Sequence, residues 1–429
     1  MIILDKALEK LESQNKPIRV AMIGAGFMGR GIALQIVSYV KGMRLVAISN
    51  RSLPAAERAF LEAGVEEVNP VTSTSQLEES IRSGKCAITD DPYLVCEAEG
   101  IDAIIEVTGE IEFGAQIVMS AFEHGKHVIL MNAELDATLG PILKTYADRA
   151  GVIVSTADGD QPGVIMNLYR YVAGIGCQPV LAGNMKGLHD PYRTPETQKS
   201  FAEKYHQKAH MVTSFADGSK ISMEMAVVAN ATGFKVGKRG MYGPACGHVN
   251  EAVNLFPTEQ LMGGGLVDYI LCNQPGGGVF VIGYNENPLQ QHYLNYYKMG
   301  EGPFYLFYAP YHLCHMEAPM SVARAVLYND ATSSPIAGPV VDVLTVAKRD
   351  LKKGEALDGI GRFTCYGVTE NSSVCQADNL LPLGLAEGCR LLRDVAKDQA
   401  LTYNDVALPE GRLSDKLRIE QNKLFFNGP

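Results

Sequence analysis

The chain lacks any run of about 18 apolar residues, the length needed to cross a hydrocarbon core, so a membrane span is not expected. Met1 to Pro17 alternates charged and apolar residues, so a secretory signal is not expected either. Positive charge is in deficit: 38 Lys and Arg face 48 Asp and Glu, a net charge of -10. A nucleic-acid partner would favour a basic surface and is excluded on that ground. Cys-x-x-Cys pairs are absent, and the nine cysteines are spread from Cys86 to Cys389. That pattern predicts buried thiols in a reducing compartment rather than a disulfide framework or a structural zinc. There is no low-complexity segment. What remains is 429 residues, 46% apolar and 20% charged, the composition of a folded chain of two or three domains. The expectation is a soluble, cytoplasmic, acidic protein, with a homodimer as the default assembly.

From residue 18 the pattern is βαβ. Ile18 to Ile23 is an apolar run of strand type, a glycine-rich turn follows, Met28 to Tyr39 reads as a helix and Arg44 to Ser49 as a second strand. Ala55 to Ala63, Ala115 to Glu123 and Pro141 to Arg149 read as further helices. Ala103 to Val107, His127 to Met131 and Gly151 to Ser155 read as strands. Strands alternating with helices imply a parallel sheet. The expected class is α/β: a Rossmann-type doubly wound parallel sheet over 1–157, an α+β substrate domain over 158–336 and a small C-terminal all-β domain over 337–429. The second half of Tyr308 to Leu327 reads as a helix packing back onto the first domain. Two similar stretches, Ala347 to Leu357 and Leu392 to Leu401, point to two related hairpins near the end.

Chemistry concentrates at the strand ends. Gly24, Gly26 and Gly29 form a Gly-x-Gly-x-x-Gly turn between a strand and a helix. Gly24 permits the tight turn, Gly26 lets backbone approach a pyrophosphate and Gly29 lets helix and strand pack closely, with Phe27 and Met28 between them. Asn50, Arg51 and Ser52 begin 21 residues beyond Gly29, where an NAD-binding turn usually carries a carboxylate. Arg and Ser suit a 2′-phosphate, so the expected cofactor is NADP(H). Thr108 and Gly109, and Asn132 after the next strand, are candidates for the nicotinamide end. Glu134 and Asp136 follow Asn132, and Asp158 and Asp160 flank Gly159 after the strand beyond it. The Asp158–Asp160 spacing can aim two carboxylates at one hard cation, Mg2+ or Mn2+. Residues 184–210 are the basic exception, with five Lys or Arg, three His and three acids. Lys186, after the apolar run Val180 to Met185, is the candidate proton donor, and Arg193, Lys204 and Lys208 are candidates for a substrate phosphate or carboxylate. Glu224 lies in an apolar helical stretch where a carboxylate needs a partner. His312 and His315 are spaced to share a helical face.

The opening turn, Met131-Asn-Ala-Glu-Leu-Asp136, Gly183-Asn-Met-Lys-Gly-Leu-His-Asp190, Ala309-Pro-Tyr-His312 and the C-terminal β unit resemble the 1-deoxy-D-xylulose 5-phosphate reductoisomerase-like oxidoreductases. The resemblance implies a homoserine-dehydrogenase-like nucleotide domain joined to a SAF-type (β-clip) C-terminal domain. It also implies an NADPH-dependent rearrangement and reduction giving 2-C-methyl-D-erythritol 4-phosphate, a step of isoprenoid synthesis. Asn132-Ala133-Glu134 and Asp158-Gly159-Asp160 are similar in position to an Asn-Lys-Glu signature and an Asp-Ser-Glu metal pair of the structurally different reductoisomerase, with Ala133 in place of its lysine and Asp160 in place of its glutamate. On this reading Glu134 and Asp160 do base and metal work, and Lys186 stabilises an oxyanion. The partner is a small phosphorylated or acidic polyol. A dehydrogenase of a hydroxy acid, sugar acid or homoserine-like alcohol stays open, as does a nucleotide- or sugar-sensing protein without catalysis.

Overall fold

The computed structural model describes residues 2–426, which fall into two compact units. The first holds the residues up to Gly163 together with Leu313–Ser334. The second holds Val164–His312 together with the residues from Pro335 onward. This differs from three consecutive domains, because one late segment joins the first unit and the C-terminal residues do not separate from the middle.

In the first unit, β1 (Ile18–Ile23), β2 (Met43–Ser49), β3 (Val68–Pro70), β4 (Cys86–Thr89), β5 (Ala103–Glu106), β6 (His127–Leu130) and β7 (Val154–Thr156) form one parallel sheet in the order β3-β4-β2-β1-β5-β6-β7. The helices are α1 (Ile2–Ser13), α2 (Phe27–Tyr39), α3 (Leu53–Glu62), α4 (Thr74–Arg82), α5 (Pro92–Glu97), α6 (Ile111–Glu123) and α7 (Ala133–Ala150). Apolar strands buried on both faces are what such crossovers produce. Val20, Met22, Ile32, Ile36, Phe60 and Ile105 share a core with Ala318 and Val322 of the helix Cys314–Tyr328, which packs on α2. The chain runs outward from β1 in both directions, so the β1–β5 crevice is the switch point where ligands sit in open α/β sheets.

Several expected boundaries move. α7 begins at Ala133 and carries Pro141 inside it, because the Asn132 side chain caps it by accepting from the Leu135 N–H at 3.1 Å. Glu134 and Asp136 are therefore first-turn residues, where the helix dipole favours acids. His312 precedes the helix that contains His315, so the two do not share a helical face.

The second unit is built on β8 (Gln178–Lys186), β9 (Ala245–His248), β10 (Leu266–Gln274), β11 (Gly278–Tyr284) and β12 (Phe304–Ala309), in the order β12-β11-β8-β10-β9. β8, β10 and β9 are parallel, and β11 is antiparallel to both its neighbours. The C-terminal part pairs β13 (Val341–Ala347) with β14 (Cys365–Asn371) and β15 (Arg390–Leu391) with β16 (Val406–Ala407). It is not all-β: the helices Ser372–Ala377 and Leu413–Phe426 belong to it. The two similar stretches meet each other. Leu351 and Val395 exchange both backbone hydrogen bonds, the Lys353 N–H donates to Asp394, and the Lys397 N–H donates to Asp350. Among the described residues no helix is long and apolar enough to cross a membrane.

Candidate functional site

The three turn glycines meet different surroundings. Gly24 has φ +112°, and a Cβ on it would lie 2.9 Å from the Val107 carbonyl oxygen. A Cβ on Gly29 would lie 2.5 Å from the Gly24 carbonyl oxygen. The fold itself therefore demands both. Gly26 is exposed, has φ -75°, and a Cβ on it would meet nothing within 4 Å. Phe27 beside it is 43% exposed and Met28 is half-buried. One turn further, a Cβ on Gly31 would lie 2.6 Å from the His315 ring. That contact was not visible in sequence, because the helices that make it are nearly 300 residues apart.

Asn50 does not present its amide outward. Its Oδ1 accepts from the Ala25 N–H at 3.1 Å and its Nδ2 donates to the Ser52 carbonyl at 2.9 Å, which ties the end of β2 to the glycine turn. Arg51 and Ser52 are exposed. Ser52 is the N-cap residue of α3, yet its hydroxyl makes no capping bond.

At the end of β5 a fully buried carboxylate, Glu106, accepts from the Thr108 N–H at 2.8 Å, from the Thr108 hydroxyl and from Asn132 Nδ2 at 2.8 Å. Burial raises its carboxyl above the ordinary carboxylate range; these hydrogen bonds pull it back, and the nearby Glu134 charge adds to the rise. The sequence shows a carboxylate at this strand end but not what it bonds. Gly109 has φ +74° and open space around it. Glu134, Asp136, Asp158 and Asp160 are all buried. Asp136 accepts from the Thr156 hydroxyl, and burial pushes its carboxyl up to about 6. Asp158 Oδ1 accepts from the Gly159 N–H at 2.9 Å, and its own N–H donates to Ser321. Among the described residues no group of three metal-ligating side chains forms.

The second unit gathers a separate polar cluster. Asn184 and Lys186 alternate onto one face of β8, toward the helix Ser219–Thr232. Glu224 of that helix is 1% exposed; its Oε2 accepts from Asn184 Nδ2 at 2.7 Å and lies 3.4 Å from Lys186 Nζ. Tyr269 of β10 stands in register with Asn184, and its hydroxyl is 2.8 Å from His189 Nδ1. Burial lowers the His189 pKa. Behind them Lys348 Nζ donates to Asp217, to the Arg193 carbonyl and to the Arg362 carbonyl, at 2.8, 2.8 and 2.9 Å. The charged groups of the expected substrate cations do not join this cluster; Arg193 meets it only through its carbonyl. Arg193 pairs with Asp190 at 3.0 Å, Lys204 lies over the Tyr205 ring, and Lys208 is exposed at the start of the helix Ala209–Ala216.

Residues 159–318 match the family model described as oxidoreductase DRL, catalytic domain, and residues 18–131 match that of the oxidoreductase family, NAD-binding Rossmann fold. A homoserine dehydrogenase of Methylobacillus glycogenes is 26% identical over 170 residues, 37% of this chain and 38% of that enzyme. A scyllo-inositol 2-dehydrogenase (NAD(+)) of Bacillus subtilis is 30% identical over 113 residues, 26% of this chain and 27% of that one. The chain thus spans less than half the length of either relative. A crystal structure of apo scyllo-inositol dehydrogenase from Lactobacillus casei aligns over 68% of this chain and 75% of that one, at 13% identity and a TM-score of 0.39.

Proposed function

We propose that the chain is an NADP(H)-linked oxidoreductase interconverting an alcohol and a carbonyl on a small phosphorylated or acidic polyol. The observation that carries this reading is Gly26. Neither backbone conformation nor packing requires a glycine there, since φ is -75° and a Cβ would meet nothing within 4 Å, although glycine caps α2 better than alanine or valine would. A pyrophosphate lying against the backbone does ask for it. When bound, the dinucleotide supplies or accepts the reducing equivalents. The turn 24–29, at the N-terminus of α2, would hold its pyrophosphate. Arg51 and Ser52 would hold a 2′-phosphate, and Thr108 and Gly109 would lie at the nicotinamide end. The exposed guanidinium, the uncapped hydroxyl and the missing carboxylate at the end of β2 together support NADP(H) over NAD(H).

Lys186 is the residue we assign to the reacting oxygen. Its ammonium is held by Glu224, and Asn184 holds Glu224, so the charge is oriented before substrate arrives. An ammonium in that setting stabilises negative charge building on an oxygen and delivers a proton to it. Glu134 and Asp160 are kept as candidate bases. Asp158 and Asp160 offer two carboxylates to a cation, and among the described residues no third ligating side chain joins them.

The sequence resemblance makes 1-deoxy-D-xylulose 5-phosphate the first substrate to try, with hydroxy acids, sugar acids and homoserine-like alcohols next; the match over residues 159–318 supports an oxidoreductase and names no substrate. The test is dinucleotide turnover by the purified chain over a panel of these compounds, with NADPH and NADH, with and without Mg2+ or Mn2+. The expected result is turnover within one substrate class and a preference for NADPH. A chain that binds neither dinucleotide overturns the proposal.

A further inference from the structure

We infer that Glu106 is a positioning residue: it locks the loop 107–110 and the first turn of α7 into one platform for the nicotinamide end of the dinucleotide. The inference rests on the dinucleotide reading above and assigns Glu106 no contact with the ligand.

The platform is closed by hydrogen bonds that all lead back to this carboxylate. One oxygen of Glu106 accepts from both the N–H and the hydroxyl of Thr108, and the other accepts from Asn132 Nδ2. The Thr108 hydroxyl in turn accepts from the Glu110 N–H at 3.2 Å. Asn132 Nδ2 also donates to the Glu110 carbonyl at 3.1 Å, while its Oδ1 caps α7 through the Leu135 N–H. Thr108 and Asn132, which stand at two different strand ends, are therefore turned toward each other. The face left for a ligand is the backbone of the loop around Gly109, where open space remains. Gly114 lets α6 close over the pair, since a Cβ there would lie 3.3 Å from Asn132 Nδ2 and 3.6 Å from the Glu106 carboxyl carbon.

Only a residue with acceptors on both sides satisfies this arrangement. A glutamine has one acceptor and one donor. Glu106→Gln would set its NH2 against Asn132 Nδ2 or against the Thr108 N–H. If Asn132 turns to relieve the clash, its Oδ1 leaves the Leu135 N–H and α7 loses its cap. Adding Asn132→Asp restores a donor–acceptor match between the two side chains and keeps an acceptor for the cap, but gives up the bond to the Glu110 carbonyl, which an acceptor-only carboxylate cannot make.

The experiment compares wild type, Glu106→Gln and Glu106→Gln/Asn132→Asp as full chains. Amide hydrogen exchange is followed at 107–110 and 133–136, alongside calorimetric titration with NADPH. The single variant should exchange faster in those two segments only. It should also bind NADPH about tenfold more weakly, the equivalent of losing one charge-assisted hydrogen bond. The double variant should recover exchange at 133–136, where the cap is restored, and only part of the loss at 107–110 and in NADPH affinity, because the bond to the Glu110 carbonyl stays broken. Unchanged exchange at those segments in the single variant, or a double variant no better than the single at 133–136, overturns the inference. Should the single variant fail to fold, the double variant decides: exchange like wild type at 133–136 supports the role and faster exchange there overturns it. Wild type that binds no NADPH would sink the dinucleotide reading, and with it the platform's purpose. The exchange data would still show separately whether Glu106 locks the two segments.

Discussion

The glycine turn of the first unit and the Lys186 cluster of the second are assembled over different sequence distances. Gly24, Gly26 and Gly29 lie within six residues of one another, and their roles follow from backbone conformation and local approach. Lys186 and Asn184 find Glu224 across 38 and 40 residues, and their arrangement depends on a strand and a helix meeting correctly. The local site tolerates little change in backbone, and its distant neighbours, the Val107 carbonyl and Asn50, brace the turn without supplying its chemistry. The assembled site holds a buried ion pair whose orientation depends on every member. The first kind of site should therefore fail in binding, and the second in turnover.

Lys186→Ala gives the largest expected effect. Removing a proton donor and oxyanion partner should lower turnover by about 10³-fold while leaving dinucleotide affinity within about twofold, as read by steady-state kinetics beside calorimetry. Equal loss of both would erase the contrast between the two sites.

Asp136 and Asp268 compare the units through stability. Burial pushes both carboxyls from 3.8 up to about 6. With the folded pKa raised, the folded chain binds the proton more tightly than the unfolded chain. Each group's contribution is then full below about pH 4 and is lost as pH rises through about 6. Asp136 accepts a described side-chain hydrogen bond from Thr156, and an asparagine oxygen can keep it. Asp136→Asn should flatten the decline in stability between about pH 4 and 6 and gain up to about 3 kcal/mol at pH 7, measured by urea unfolding. Asp268 accepts the N–H groups of Tyr242, Gly243 and Tyr269. Asp268→Asn would leave one of them facing an NH2 and should bring no gain.

The smallest effect is expected at Arg51. Arg51→Ala should weaken NADPH by about tenfold and leave NADH unchanged, as read by paired titrations. An equal change in both would mean that the guanidinium does not sense the 2′-phosphate.

The same contrast explains what could be read from the chain alone. The parallel sheet was legible because β1, β2, β5 and β6 are apolar runs bounded by turns. β3 and β4 were not: β3 sets Val68 beside Asn69 and Pro70, and β4 is a short stretch, Cys86 to Thr89, between polar residues. The glycine turn was legible because its spacing is its mechanism. That Gly26 alone stands in open space was not, since it takes coordinates to show what each Cβ would meet. Lys186 stood out as a cation after an apolar strand, and Glu224 as an acid in need of a partner. Their pairing could not be read, because sequence does not show which helix face meets which strand. Pro141 was misleading as a helix start, since α7 is set by the Asn132 cap nine residues earlier. The similar stretches near the end pointed to related hairpins but not to their pairing through Leu351 and Val395.

The most direct measurement is NADPH titration of Gly26→Val. The backbone at residue 26 suits any side chain, and a Cβ there meets nothing within 4 Å. The variant should unfold within a few degrees of wild type, the small deficit reflecting valine as a poorer N-cap. Its NADPH affinity should nonetheless fall by about a hundredfold or more. Wild-type affinity in the folded variant would contradict the account, because the open space above Gly26 would then hold no pyrophosphate.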